Sequence, residues 1–224
     1  STTRILLSDT QCRVCAKEIG GSSHSFYIHP KQYSRKTKAM LERVRRAADG
    51  VEGKVTVAGL AAPMNHKLVA ELITDVFGAV KFMQFGEGDI ALACHGLTYG
   101  VSLVAGTGAS CMYRSEDGRW VACGGFGPQF GDEGSGYWVG REAVTAAMRA
   151  ATETGPPTTL NAYLLRHFGI EHIGGIYRFC DRSGHVPAPQ IASAFPVVCE
   201  AAKDGDAVAR GILEAAGAAL GKLV

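Results

Sequence analysis

Long apolar runs are missing from this chain, and with them any segment of the roughly 20 residues that a transmembrane helix needs. The first apolar stretch, Ile5-Leu6-Leu7, stops at Ser8 and Asp9, too early for the core of a secretory signal. Charge of one sign is equally scarce: the net charge is +2, so no strong field draws the protein to nucleic acid. The densest basic run, Lys36 to Arg46, mixes Lys38, Arg43, Arg45 and Arg46 with Met40, Leu41 and Val44, the pattern of a solvated helix face. An even set of clustered cysteines is absent too. Seven are scattered from Cys12 to Cys199, which argues against a secreted disulfide framework and for reduced thiols in the cytoplasm. Cys12-Arg13-Val14-Cys15 has CxxC spacing, but no second Cys or His pair follows at zinc-ligand distance, and no metal ligand is assigned. Tandem repeats and low-complexity tails are also lacking.

What remains is an ordinary globular composition, 46% hydrophobic and 20% charged, over 224 residues, enough for two modest domains. Alternation predicts strands at Arg4 to Leu7 and Arg13 to Ile19, joined as a hairpin. A helix is expected over Lys31 to Ala48 with Met40, Leu41, Val44 and Ala47 on one face. A strand at Lys54 to Leu60, a helix at His66 to Phe77 and a strand at Val80 to Phe85 follow. After Asp89 come a short helix from Ile90 to Cys94 and three strands, Tyr99 to Ala105, Ser110 to Arg114 and Arg119 to Cys123, the last two turning at Glu116-Asp117-Gly118. The remainder reads as helices at Tyr137 to Thr152, Leu160 to Phe168, Gln190 to Lys203 and Asp206 to Leu223, broken at Gly155-Pro156-Pro157 and Ser183 to Pro189. Alternating strands and helices predict an α/β fold.

Three stretches carry chemistry. The strand Val101 to Ala105 runs into Gly106-Thr107-Gly108, where small residues let backbone N–H groups approach an anion. Between Gly124 and Gly136, six of thirteen residues are glycine and Asp132-Glu133 sits in the middle, a composition suited to a binding loop. Ser135 can cap the helix that starts near Tyr137, and the two carboxylates either serve that helix end or face a ligand. Asp89 follows an apolar strand through Gly86-Glu87-Gly88 and precedes an apolar helix, as a helix cap or as a base for an attacking hydroxyl.

The order Asp89, Gly106-Thr107-Gly108, Gly124-Gly125-Phe126-Gly127 and Gly131-Asp132-Glu133-Gly134-Ser135-Gly136-Tyr137-Trp138 resembles the N-acetylglucosamine kinase and BadF/BadG/BcrA/BcrD ATPase family. The resemblance is densest over Asp89 to Val144 and returns at Ala188 to Val224. It implies an actin-like ATPase (ribonuclease H-like) fold: α/β, two lobes, each a mixed β-sheet flanked by helices. Residues 1–88 would form the N-terminal lobe and 89–224 the C-terminal lobe. It implies ATP-dependent phosphorylation of an amino sugar, with ATP and Mg²⁺ as cofactors, in a cytoplasmic protein that pairs as a homodimer and touches neither nucleic acid nor membrane.

Carried over by residue, the resemblance makes Asp89 the catalytic base and Gly106, Thr107 and Gly108 the second phosphate loop. Asp132, Gly125 and Phe126 would meet the sugar, with Glu133 in the same motif. Ser22-Ser23-His24 stands at the first sugar-contacting loop and Ala61-Ala62-Pro63 at a second. Ser1 and Thr3 match only the tail of the family's first phosphate loop. The Asp that organises Mg²⁺ and the late adenosine motif have no counterpart, so a chain truncated at both ends is expected. Three departures bear on specificity: Phe126 replaces a common Trp, His24 a common Asn, and Ala61-Ala62 a common Ser-Gly pair. Two other functions fit the same residues. One is an ATPase activating a CoA-ester dehydratase or reductase, with Cys111 and Cys123 near an iron–sulfur cluster; the other is a sugar-binding protein without catalysis.

Overall fold

The computed structural model describes residues 2–21, 29–49, 53–61, 66–182 and 184–224. The chain divides into two compact units, Ser1–Ile90 and Ala91–Val224.

The first unit opens with the expected hairpin, β1 (Thr2–Ser8) antiparallel to β2 (Val14–Gly21). Asp9 organises its turn by accepting from the N–H groups of Gln11 and Arg13, each at 2.9 Å, and from the Arg13 guanidinium at 2.7 Å. Helix α1 (Pro30–Ala47) starts with proline, whose missing N–H is no loss in a first turn. Tyr33, Thr37, Met40, Leu41 and Val44 recur at helical spacing and are buried. Ala47 was expected on that face but is exposed, one step past the end of the stripe. Gly20 lets this helix close on the hairpin, because a Cβ there would fall 2.6 Å from Met40 Sδ. Helix α2 (His66–Phe77) spans the residues its periodicity indicates and buries Val69, Leu72, Ile73 and Val76. Strands β3 (Val57–Ala61) and β4 (Lys81–Phe85) pair in parallel. The β3 strand begins three residues later than expected, since Lys54 to Thr56 lie outside the paired register. Tyr33, Leu41, Leu60, Val69, Leu72, Ile73 and Val76 form this unit's core.

The second unit begins as a three-stranded antiparallel sheet in the order β5 (Gly100–Ala105), β6 (Ala109–Arg114), β7 (Trp120–Gly124). Ser115 and Arg119 both hydrogen bond Asp117 at the β6–β7 turn, where hairpin residues were expected. Helices α4 (Gly136–Ala151), α5 (Leu160–Phe168), α6 (Ala188–Ala192), α7 (Phe195–Lys203) and α8 (Ala207–Gly221) complete it. Val139, Ala143, Ala147, Leu160, Leu164, Ala194, Val198, Ala201 and Ala209 have no solvent exposure at all. A 3₁₀ helix, Ile173–Phe179, adds Ile173 and Ile176 to that core and lacks the α period by which it could have been foreseen.

One expected helix, Gln190 to Lys203, is instead two. Pro196 has no N–H for the carbonyl of Ala192 and would crowd it in a continuous helix, so the chain breaks at Ser193 and Ala194 and restarts with the proline in the first turn of α7. Among the described residues no helix is long and apolar enough to cross a membrane.

Candidate active site

The hairpin joining β5 to β6 is the loop Gly106-Thr107-Gly108. Its three carbonyls all have partners. The Gly108 carbonyl accepts from the Gly106 N–H at 2.8 Å, the Gly106 carbonyl from Gly136 N–H at 2.8 Å, and the Thr107 carbonyl from Tyr137 N–H at 3.2 Å. Gly136 and Tyr137 open helix α4, so the positive end of that helix is directed at the backs of two loop peptides. Ser135 is its N-cap as expected, with Oγ accepting from Trp138 N–H at 3.2 Å.

This arrangement fixes the other side of the loop. In a trans peptide the N–H points opposite to the C=O, and no peptide among the described residues is cis. With the carbonyls of Gly106 and Thr107 drawn to α4, the N–H groups of Thr107 and Gly108 turn away from the helix. Among the described residues neither meets an acceptor. Two adjacent N–H groups aimed outward from a glycine-rich turn have the form of an anion-binding nest. A Cβ on Gly106 would enter open space.

The sequence-predicted Gly124–Gly136 stretch packs against the same loop. Gly125 donates its N–H to the Ala109 carbonyl at 2.9 Å, and the Ala109 N–H goes to Asp132 Oδ1 at 3.2 Å. Gly106, Thr107, Gly108, Gly125, Phe126 and Asp132 are therefore gathered around Ala109, a residue that carried no sequence signal of its own. Asp132 is buried, with φ 62°, a left-handed conformation that Asp tolerates better than most residues. Glu133 beside it is exposed. Phe126 is 73% exposed and Phe130 is 82% exposed.

Two glycines in this stretch and a third inside α4 serve packing. A Cβ on Gly134, at φ +83°, would lie 2.5 Å from the Ala216 carbonyl of α8. On Gly136 it would lie 3.0 Å from the Gly106 carbonyl, and on Gly140 it would lie 2.2 Å from the Ile191 carbonyl of α6. The spacing of small residues around Ser135 was the available signal for this close contact.

Asp89 belongs to the other unit. It was expected ahead of a helix starting at Ile90, after a buried strand. Instead α3 (Glu87–Cys94) begins earlier, and Asp89 sits in its first turn with Oδ2 accepting from Gly86 N–H at 2.9 Å. A carboxylate at the third helical position reaching back to the cap N–H is half of a capping box, which is why the helix extends through Gly88. The preceding β4 is largely exposed and, among the described residues, pairs with β3 alone. Thr3 lies in β1 opposite Gly20. Ser1, Ser22-Ser23-His24 and Ala62-Pro63 lie outside the described residues.

All seven cysteines are free. Cys111 and Cys123 face each other across β6 and β7, with Cys111 buried and Cys123 exposed. Cys111 is part of the core, whereas Cys123 is on the edge strand of the sheet. Burial, and then the neighbouring Cys123, push the Cys111 thiol above its ordinary pKa, away from the thiolate form that ligates iron. No group of three or more His, Cys, Asp or Glu among the described residues is arranged to hold a metal ion.

The whole chain, residues 1–224, matches the BadF/BadG/BcrA/BcrD ATPase family. The chain belongs to that family. Over 164 residues it is 31% identical to an N-acetylmuramic acid/N-acetylglucosamine kinase of Clostridium acetobutylicum, a match covering 72% of this chain and 53% of the relative. Over 171 residues it is 26% identical to an N-acetyl-D-glucosamine kinase of Dictyostelium discoideum, covering 75% of this chain and 54% of that protein. The chain thus spans about half the length of the curated relatives it matches. A candidate N-acetylglucosamine kinase from Chromobacterium violaceum superposes with a TM-score of 0.78 at 24% identity, covering 99% of this chain and 78% of that one. A second, from Porphyromonas gingivalis, gives 0.71 at 13% identity over 95% and 73%. The family member described here therefore has the α/β, actin-like ATPase fold.

Proposed function

We propose that this protein takes part in ATP-dependent phosphorylation of an amino sugar such as N-acetylglucosamine, N-acetylmuramic acid or glucosamine. The observation that carries the reading is the pair of outward N–H groups on Thr107 and Gly108, held by α4 beside open space at Gly106. Phosphoryl transfer asks a protein mainly for such donors around the phosphates and for a carboxylate to accept the proton of the attacking hydroxyl. The curated relatives named as sugar kinases support the choice of acceptor.

In this reading residues 1–88 form one lobe, with Thr3 and Ser1 at its phosphate-facing start, and residues 89–224 form the other. The sugar hydroxyl attacks the terminal phosphorus of ATP, the bond to the bridging oxygen of ADP breaks, and the proton passes to Asp89. Asp132, Gly125 and Phe126 meet the sugar, with Ser23 and His24 contributing from the N-terminal loop. Mg²⁺ would neutralise the phosphates. It keeps much of its water and takes phosphate oxygens as ligands, so the lack of a preformed carboxylate cage among the described residues is compatible with its use.

Sugar-dependent ADP release, measured with N-acetylglucosamine, N-acetylmuramic acid, glucosamine and glucose, tests this directly. An amino sugar should stimulate release and EDTA should abolish it. ADP release that ignores every sugar would overturn the kinase reading.

A further inference from the structure

We propose that Asp132 is a positioning residue for the phosphate loop, acting on nucleotide binding before any sugar arrives. The inference rests on Gly106-Thr107-Gly108 being the phosphate loop, and it adds a second duty to a residue expected only to meet sugar hydroxyls.

A carboxylate beside an anion nest is a poor neighbour by Coulomb's law, because it repels the phosphates that the nest would hold. Its retention there, only 7% exposed, calls for a compensating task. The geometry supplies one. Asp132 Oδ1 holds the Ala109 N–H at 3.2 Å, directly after the loop. Its other oxygen, Oδ2, occupies the space a Cβ on Gly108 would need, only 2.7 Å away. Gly108 does not have the positive φ that usually explains a glycine in a turn. It is glycine because the carboxylate is packed against it.

The carboxylate therefore fixes the loop from one end while α4 fixes it from the other through the carbonyls of Gly106 and Thr107. Between these two anchors the N–H groups of Thr107 and Gly108 have one direction. Loss of the Asp132 anchor would free the Gly108–Ala109 peptide and loosen the Gly108 backbone beside the donors, and an anion would then meet a loop that must first be ordered.

Two opposite signs separate this role from that of a mere charged neighbour. If Asp132 only repels, Asp132→Ala should tighten polyphosphate binding. If it positions the loop, Asp132→Ala should weaken binding of ATP and of tripolyphosphate about tenfold, the loss expected for a buried charge-assisted hydrogen bond. Asp132→Asn retains an acceptor for the Ala109 N–H and tolerates the left-handed backbone. It should bind tripolyphosphate within about twofold of wild type, while raising the KM for sugar more than the KM for ATP. Gly108→Ala keeps the Asp132 side chain but displaces its carboxylate from the loop, and should reproduce the loss seen with Asp132→Ala.

Isothermal titration of tripolyphosphate and ATP without sugar reads all four proteins, with melting temperatures recorded alongside. Weakening in Asp132→Ala and Gly108→Ala with retention in Asp132→Asn supports the proposal. Tighter or unchanged binding in Asp132→Ala overturns it while leaving the phosphate loop intact. If Asp132→Ala does not fold, the contrast between Asp132→Asn and Gly108→Ala decides by the same criterion. A wild-type protein that binds neither polyphosphate overturns the phosphate-loop reading, and this inference with it.

Discussion

The starts of α3 and α4 solve the same problem in different ways. Each helix must satisfy N–H groups that have no partner in its own first turn. Helix α3, eight residues long, does so locally: Asp89 reaches back three residues to Gly86. Helix α4, sixteen residues long, gives its first two N–H groups to the carbonyls of a loop some thirty positions earlier in the chain, and its neighbour Asp132 reaches back 23 residues to Ala109. A local cap orients one carboxylate within its own turn. A long-range cap makes the helix end a joint between elements. Changes at Asp89 should consequently touch chemistry with little effect on stability, and changes around α4 should touch both.

The largest effect that could break this contrast is at Asp89. Asp89→Asn preserves an acceptor for the Gly86 N–H but removes the proposed base, and should lower kcat by about 10² to 10⁴ while the melting temperature moves by only a few degrees. Full turnover in the variant would remove Asp89 from the proposed mechanism. Next in size is Gly134→Ala, which combines a left-handed backbone with a Cβ only 2.5 Å from the Ala216 carbonyl. It should destabilise the protein by about 3 kcal/mol in chemical denaturation, through strain and overpacking together. A loss below about 1 kcal/mol would mean that α8 can withdraw, and that the joint is looser than the geometry indicates.

Elements governed by local chemistry were legible in the sequence. The His66–Phe77 and Leu160–Phe168 helices, the two hairpins and the Ser135 cap follow from periodicity, turn residues and a capping side chain acting within a few positions. The motif from Asp89 to Trp138 was legible because its glycines and carboxylates cluster, and the family it resembles is the one whose model matches the whole chain. What could not be read is tertiary. Ala109 looks like any alanine until β6 places its N–H and C=O between Asp132 and Gly125. That Gly108 is small for Asp132, and Gly134 for Ala216, depends on contacts far apart in sequence. The break at Ser193 was readable in principle from Pro196, whose rule is local, but the apolar periodicity on either side of it masked the signal.

A third helix start serves as a control without any proposed role in catalysis. Asp206, the N-cap of α8, accepts from Ala209 N–H at 2.8 Å through Oδ1, and through Oδ2 from Thr159 N–H at 2.6 Å and the hydroxyls of Thr158 and Thr159 at 2.8 Å. Burial alone would raise its pKa, but those hydrogen bonds outweigh it and hold the carboxyl below the ordinary 3.8. A carboxylate depressed in the folded state stabilises above its unfolded pKa and loses that contribution as pH falls through the lower, folded value. Asp206→Asn should therefore cost about 2 kcal/mol near neutral pH, and the gap to wild type should close as the pH drops below 3.8 in denaturation series. A gap independent of pH down to 2 would show that shape, not charge, sets this cap.

Smallest of all is Ser135→Ala. It deletes one hydrogen bond, from Trp138 N–H to Ser135 Oγ, and leaves the donations to Gly106 and Thr107 in place. A local cap is worth about 1 kcal/mol, so the variant should lose that much stability and keep its polyphosphate affinity within about twofold. The pairing of these two numbers is the sharpest test of the contrast between the helix starts. If the affinity falls as far as it does for Gly108→Ala, the joint between α4 and the loop depends on the local cap after all, and the division into local and long-range capping fails at the helix where it matters most.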